Sequence, residues 1–598
     1  MKQLKREATR PADGRPRVAL LHGPPGIGTT AVALHLAAAL YARFHDGRFY
    51  VDLRDTSAGH GPGPGTVLLR LLRQMGVAPE RMPPTTSGRE ELYRQLTAGR
   101  RALVVVDHAS SVAQVRGLVP ATPDVFLLVV VSGRPFALEA ERVPVPPLSD
   151  RYAKQMVSKV AGQETVARAK ARMPRLLEHC AGNAFALKAE ATRLLTEETT
   201  MGPRPEGAPH HPVRDAARSA CERLRPETAR LVRLTALGGW PSIDAHLAAA
   251  AADVAYDEAA RMLTEAADVH LLDADADDRY RFRTEVRRYL ADTAGPEHGI
   301  PECSAAIERV LDDLLNRALH AAHAALPQSW RTEPAPQRGE AYGGEARGVA
   351  VLAAEVGNLV RAVSVAEEYQ HVTVALRLAR ALWPLQLKAG YWDEVLPALR
   401  VATRCADEHQ PNSRTAAALH FQLAHCLGEL EQWEEAEQEA HAAAEGERAA
   451  GHERGEASSV ELLGLLSLRQ WRYGPAHERF VEAERVYRRI APGQEGERDV
   501  PRALALAERH QGRALRGMGR LTESRQCLEA AAEFFKEQGE HYNRARALTD
   551  LAETLHDAGE DAAALTTIAE AEQLLTPAAA PHLRYLAGLR LRCEGARQ

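Results

Sequence analysis

The residues able to do chemistry in this chain stand at Gly23–Thr30, at Asp107 and at Arg134. Gly23-Pro24-Pro25-Gly26-Ile27-Gly28 is too dense in glycine and proline for helix or strand. An apolar run, Arg17 to His22, precedes it, and an Ala/Leu run at helical spacing follows from Thr30. Strand, glycine loop, helix is the setting in which backbone N–H groups converge on a phosphate, aided by the positive end of the helix. The spacing G-x-x-x-x-G-K-[ST] fits at Gly23, Gly28 and Thr30 and fails at Thr29, which replaces the lysine that reaches the β- and γ-phosphates. A threonine there forfeits a charge-assisted bond of about 1.5–3 kcal/mol. Thr30 keeps the hydroxyl that binds magnesium. Gly23, Pro24, Pro25, Gly26, Ile27, Gly28, Thr29 and Thr30 are therefore the candidate site for ATP or ADP with magnesium. Binding is expected to be weak or absent, and hydrolysis inefficient.

Ala102–Asp107 (ALVVVD) is an apolar strand ending in an acid, so Asp107 joins Thr30 as a candidate magnesium ligand. The alternative is an aspartate that caps the next helix, but its place after the glycine loop favours the magnesium reading. His108 follows it rather than a second carboxylate, so no general base is visible. Arg134, after the strand Val125–Ser132, either senses a terminal phosphate or is a solvated loop residue. Around these lie an expected strand at Phe49–Leu53, a Gly/Pro loop at Gly59–Gly65, and helices at Thr66–Met75 and Gly88–Thr97. Val143–Leu148 reads as an edge strand, because its prolines cannot donate to a ladder. Strands alternating with helices predict a parallel α/β sheet covered on both faces.

At 598 residues the chain exceeds one hydrophobic core, so several domains are expected. Lys+Arg of 75 against Asp+Glu of 80 gives −5, too balanced to imply nucleic acid or a membrane surface as partner. The seven cysteines show no paired metal-ligand spacing and no disulfide framework, which reads as a reducing cytoplasm. The basic start MKQLKREATR precedes no apolar segment of signal length, and no run is expected to span a membrane.

The C-terminal part repeats. Ala424, Gly464, Gly512 and Ala552 each stand twelve residues before a second small residue: Ala436, Ala476, Ser524 and Ala564. That step separates the small positions of paired helices in tetratricopeptide repeats, where neighbours bury one another's apolar faces. Ala491–Asp499 reads as an inserted loop, Trp383–Val395 as an earlier degenerate copy, and Pro581–Arg592 as a cap. Such arrays present a concave surface for a protein or peptide.

The order GPPGIGTT, FYVDL, ALVVVD, VVVSGRP and CAGNAFAL resembles the NB-ARC branch of the STAND signalling ATPases. It is most similar to bacterial members with tetratricopeptide repeats, such as antibiotic-pathway regulators. The resemblance implies a P-loop NTPase domain at 1–150, a small helical domain at 151–205 and a winged helix at 212–298. A helix and linker at 299–348 and a repeat array at 349–598 complete it. It also marks departures. The family's adenine-touching proline is Ala184, and its phosphate-reading His-Asp pair is Arg283 and Thr284. Arginines at 279, 281, 283, 287 and 288 would suit DNA, but in the family the winged helix is internal and regulatory, so nucleic acid is not the expected partner. The loop lies so near residue 1 that no fused effector is expected, leaving output to a partner or to homo-oligomeric assembly. The function implied is a regulatory protein with a degenerate nucleotide module and a partner-binding array. An active ATP-driven switch and a nucleotide-free scaffold are the alternatives.

Overall fold

The computed structural model describes the chain except residues 12, 55–62, 78–80, 133–135, 197–210, 338–341 and 596–598. It divides into two compact units, Met1–Val395 and Leu396–Gln598.

The first unit opens with a parallel sheet of β1 (Arg17–Gly23), β2 (Gly47–Asp52), β3 (Ala102–Ala109), β4 (Val125–Ser132) and β5 (Glu141–Pro144), in the order β2-β3-β4-β1-β5. Side chains alternate between its faces. Val18, Leu20, Val104, Val106, Leu127 and Val129 pack on the side of the helices Pro64–Gln74 and Thr86–Thr97. Ala19, Leu21, Leu103, Val105, Leu128 and Val130 pack on the other side, with Ala33 and Leu36 of the helix Thr29–Ala39. Both faces are thus covered, which is why the strands read as continuous apolar runs.

Three local readings shift. β3 continues two residues past Asp107, with a register break against β4 between Val106 and Ala109 and a left-handed His108 at φ 58°. β5 begins two residues and ends four residues earlier than expected, although still at the edge. The helix Lys2–Ala8 was not anticipated; its Leu4 and Ala8, one turn apart, are fully buried against the second face.

Four helices follow between Asp150 and Thr196. After them come the helices Pro212–Cys221, Pro226–Ala236, Ala245–Ala252 and Tyr256–Asp268, then the antiparallel hairpin β6 (Leu272–Ala274) and β7 (Tyr280–Phe282), then Thr284–His298. The long helices Ile300–Ala325 and Glu345–Glu368 come next. Contrary to the sequence-based expectation, Glu345–Glu368 is long and apolar enough to cross a membrane. Here it buries Leu352, Leu359, Val363 and Ala366, and it carries the buried charges Glu355 and Arg361.

The second unit is a stack of helical hairpins: Arg414–Glu429 with Trp433–Ala449, Glu453–Arg469 with Tyr473–Tyr487, Val500–Gly517 with Leu521–Glu537, and His541–Asp557 with Asp561–Gln573. The paired small residues are buried where the helices cross: Ala424, Ala436, Ala476, Ser524, Ala552 and Ala564 have no exposure. A Cβ at Gly464 would come 2.5 Å from Phe480, and one at Gly512 would come 2.7 Å from Leu528, so the close approach itself demands glycine. The 491–499 insert holds only a 3₁₀ turn at Glu497–Asp499. The helix Ala580–Gly595 covers the last hairpin with Leu586, Leu589 and Cys593.

Candidate nucleotide-loop site

Residues 24–28 leave the C-terminal end of β1 in a turn closed by the Ile27 N–H donating to the Pro24 carbonyl at 3.2 Å. Gly26 (φ 77°) and Gly28 (φ 102°) both take left-handed conformations that a side chain would strain. Gly28 is the N-cap of the helix Thr29–Ala39. The N–H groups of Gly26, Gly28, Thr29 and Thr30 meet no acceptor among the described residues. They form the anion-binding concavity that such a loop and helix start can offer. The loop itself supplies no cation. Thr29 instead turns its methyl toward Gly23, where a Cβ would lie 3.5 Å away.

The outer side of the loop is clasped by the GNAFAL segment. Asn183 donates from Nδ2 to the Pro25 carbonyl at 2.9 Å, and the Phe185 N–H donates to the Gly26 carbonyl at 2.9 Å. Asn183 also caps its own helix, accepting from the Ala186 N–H at 3.1 Å. A Cβ on Gly26 would stand 2.6 Å from Val213, 2.9 Å from Asn183 and 3.1 Å from Phe185. Ala184, at the position of the adenine-touching proline, faces Gly28. Gly182 (φ 70°) is required because the Leu148 backbone crosses within 2.5 Å of where its Cβ would be, and the Leu148 N–H donates to the Gly182 carbonyl. Sequence reading used this segment as one of the resembling motifs and marked its missing proline, without anticipating the clasp. The Asn at a helix start was the signal for the clasp.

Asp107 sits in β3, with β4 between it and the loop strand, roughly two strand spacings or about 10 Å away. Its carboxylate is fully buried. Tyr50 donates its hydroxyl to Oδ2 at 2.9 Å, and the His108 N–H donates to Oδ1 at 2.8 Å. Burial and the Asp107 charge both push the Tyr50 phenol upward, so it stays a donor. Asp107 thus neither ends its strand nor caps a helix, and each of its carboxylate oxygens accepts a hydrogen bond from the protein. Thr30 is half-buried, and its hydroxyl makes no hydrogen bond among the described residues. Arg134 lies outside the described residues.

A charged seam, not anticipated from sequence, runs from this sheet edge to the β6–β7 hairpin. His108 Nδ1 lies 2.9 Å from Asp52, and Arg54 lies 3.4 Å from Asp52 and 3.8 Å from Asp273. Arg281 lies 3.9 Å from Asp52 and 2.7 Å from Asp275. Burial alone would raise the Asp52 carboxyl, but the His108 hydrogen bond and the Arg54 charge outweigh it and hold it at about 2. Arg283, at the position of the phosphate-reading histidine, pairs with Asp273 at 2.7 Å and lies 5.0 Å from the Phe185 ring centroid. A cation is therefore one side chain removed from the loop.

No protein-family model matches the chain. It is 32% identical to Regulatory protein AfsR of Streptomyces coelicolor over 320 residues, which are 50% of this chain and 32% of that protein. It is 30% identical over 316 residues to Regulatory protein AfsR of Streptomyces griseus, with the same shares of each chain. The resemblance read from the motifs is borne out. The chain spans about a third of the length of these relatives. Among solved structures it is loosely similar to the STAND protein with a tetratricopeptide repeat sensor from Pyrococcus horikoshii. That likeness has 13% identity and a TM-score of 0.37, and covers 100% of this chain and 94% of that one.

Proposed function

We propose that the chain is a regulatory protein of STAND type, in which the glycine loop holds a nucleotide weakly, without efficient hydrolysis, and the helical array receives a protein or peptide partner. The observation that carries this reading is the clasp of Asn183 and Phe185 on the Pro25 and Gly26 carbonyls. It leaves the N–H side of the loop for phosphate while tying the loop to the following helical domain, so a phosphate there and the closed arrangement favour one another. Backbone donors contribute about 1 kcal/mol each without any lysine. Thr30 and, once Tyr50 gives way, Asp107 would hold magnesium. The residues fit a phosphate group better than they fit the metal. The segment 212–298 serves as an internal winged helix, joined to the sheet by the Arg54–Asp273 and Arg281–Asp52 pairs. Regulatory activity is also what the names of the sequence relatives support, and a cytoplasmic location is the matching expectation.

A second reading, a nucleotide-free scaffold, draws on Asp107, both of whose oxygens are taken by the protein itself. One measurement separates the two. The purified chain is titrated with ATP or ADP in magnesium, and nucleotide released on denaturation is assayed by chromatography. Saturable binding abolished by Gly26→Ala supports the nucleotide-responsive reading. No binding and no released nucleotide leaves the scaffold. ATP turnover lost in Asp107→Ala would instead make the chain an active switch.

A further inference from the structure

The cap of the helical array carries a cluster that the loop and the clasp do not use. His556 lies in the last turn of the helix His541–Asp557, Asp561 opens the next helix, and Cys593 comes from the terminal helix Ala580–Gly595. Their ligand atoms all lie within 4.8 Å of one another. Among the described residues no other trio of His, Cys, Asp or Glu side chains meets this closely. We propose that His556, Asp561 and Cys593 form a zinc site that fastens the terminal helix to the last hairpin.

The donor set suits that ion: an imidazole nitrogen, a carboxylate oxygen and a thiolate sulfur are its three ordinary protein ligands. His556 Nδ1 and Asp561 Oδ1 are 2.6 Å apart, a hydrogen bond. Tetrahedral zinc with bonds of 2.0–2.3 Å would need its ligands about 3.3–3.8 Å apart. The His–Asp pair therefore opens by less than about 1 Å, and the sulfur, within 4.8 Å of both, closes by at most about 1.5 Å. The His–Asp bond alone would account for two of the residues as a capping pair. It does not account for a thiol brought to both from a third helix. Cys593 has no solvent exposure and packs among Leu586, Leu589, Ile568 and Ala564, so one side of the ion is dry. His556 and Asp561 keep 24% and 15% side-chain exposure, which leaves an entry path and room for a water as fourth ligand.

The test uses the full chain, zinc alone as probe, and cobalt as its spectroscopic substitute. The expected result is one zinc per chain by calorimetry and elemental analysis, and a sulfur-to-cobalt charge-transfer band in the near ultraviolet. Asp561→Asn keeps a good helix-start residue, and Cys593→Ser keeps the volume. Each should weaken zinc binding about tenfold or more, and Cys593→Ser should also erase the band. Asp561→Asn guards against a folding artefact, because its amide oxygen can still accept from His556 and its metal-free melting should stay within a few degrees of the parent. Substoichiometric zinc, a cobalt spectrum without the sulfur band, or unchanged affinity in both variants overturns the site.

Discussion

Asn183→Ser isolates the bond between the helical segment and the glycine loop. Asn183 is 5% exposed and does two things: Oδ1 accepts from the Ala186 N–H, and Nδ2 donates to the Pro25 carbonyl at 2.9 Å. A serine Oγ still caps the helix but is one atom too short to reach Pro25. What is lost is one neutral, mostly buried hydrogen bond of about 1 kcal/mol, or about a fivefold change in the equilibrium between clasped and open loop. Asn183→Ala loses the cap as well, about 1 kcal/mol more, for a change near thirtyfold. The Phe185 N–H reports the opening directly, since it donates to the Gly26 carbonyl across the same contact. Hydrogen exchange by mass spectrometry, read on peptides spanning residues 184–187, should show exchange about fivefold faster in the serine variant and markedly faster again in the alanine variant. Equal protection in parent and Asn183→Ser, or identical rates in the two variants, would refute the claim that this side chain holds the loop.

Thr29→Lys should tighten ATP binding roughly 10- to 150-fold by restoring a charge-assisted bond of about 1.5–3 kcal/mol; fluorescence titration reads it, and no gain would mean the clasped loop cannot admit the phosphates. Gly464→Ala should cost about 1–3 kcal/mol of array stability by overpacking, because its Cβ would lie 2.5 Å from Phe480; Phe480→Leu in the same chain should recover part of the loss on thermal melting. His420 gives the array a pH dependence. Burial lowers its pKa, but hydrogen bonds to Glu439 at 2.5 Å and Asp407 at 2.9 Å outweigh it, and the net shift is upward. A folded value above the unfolded one means this stabilisation is complete below about pH 6.5 and is lost as pH rises through the folded value. His420→Gln should flatten the melting-temperature profile above pH 6.5, and an unchanged profile would remove the residue from the account.

What could be read from sequence is what has a period or an obligatory residue type. The sheet was legible because strands buried on both faces are aliphatic throughout, as at Val125–Ser132. The repeats were legible because small residues at a fixed step are a steric necessity, seen at Gly464 against Phe480. The loop was legible because Gly26 and Gly28 take conformations that glycine alone adopts without strain. The environment of Asp107 was not legible. Whether a strand-end acid faces a metal or a tyrosine depends on Tyr50, fifty-seven residues away in sequence and adjacent only through the pairing of β2 with β3. The extension of β3 past Asp107 was hidden for a related reason: a left-handed His108 has no signature in composition.

The hairpin arginines show the same distance between residue type and role. Three on alternate positions are of the type that would suit a phosphate backbone, a partner the sequence did not favour. Each has a carboxylate instead: Arg279 pairs with Glu355, Arg281 with Asp275 and Arg283 with Asp273. Arg288 pairs with Glu285 at 3.2 Å, and burial, then the nearby Arg361, lower the pKa of Arg287. A nucleic acid would have to displace these partners, so the counterion release that drives phosphate binding would be offset contact by contact. Individually such half-exposed pairs are worth about 0–1 kcal/mol. Their arrangement carries more information than their energy. Asp52 and Arg54 on the sheet edge face Arg281 and Asp273 on the hairpin, each sign meeting its opposite. A one-residue slip of the hairpin would flip its strand residues to the other face and break both pairs. Charge of a type that would suit an outside phosphate is here paired between the parallel sheet and the hairpin that follows it.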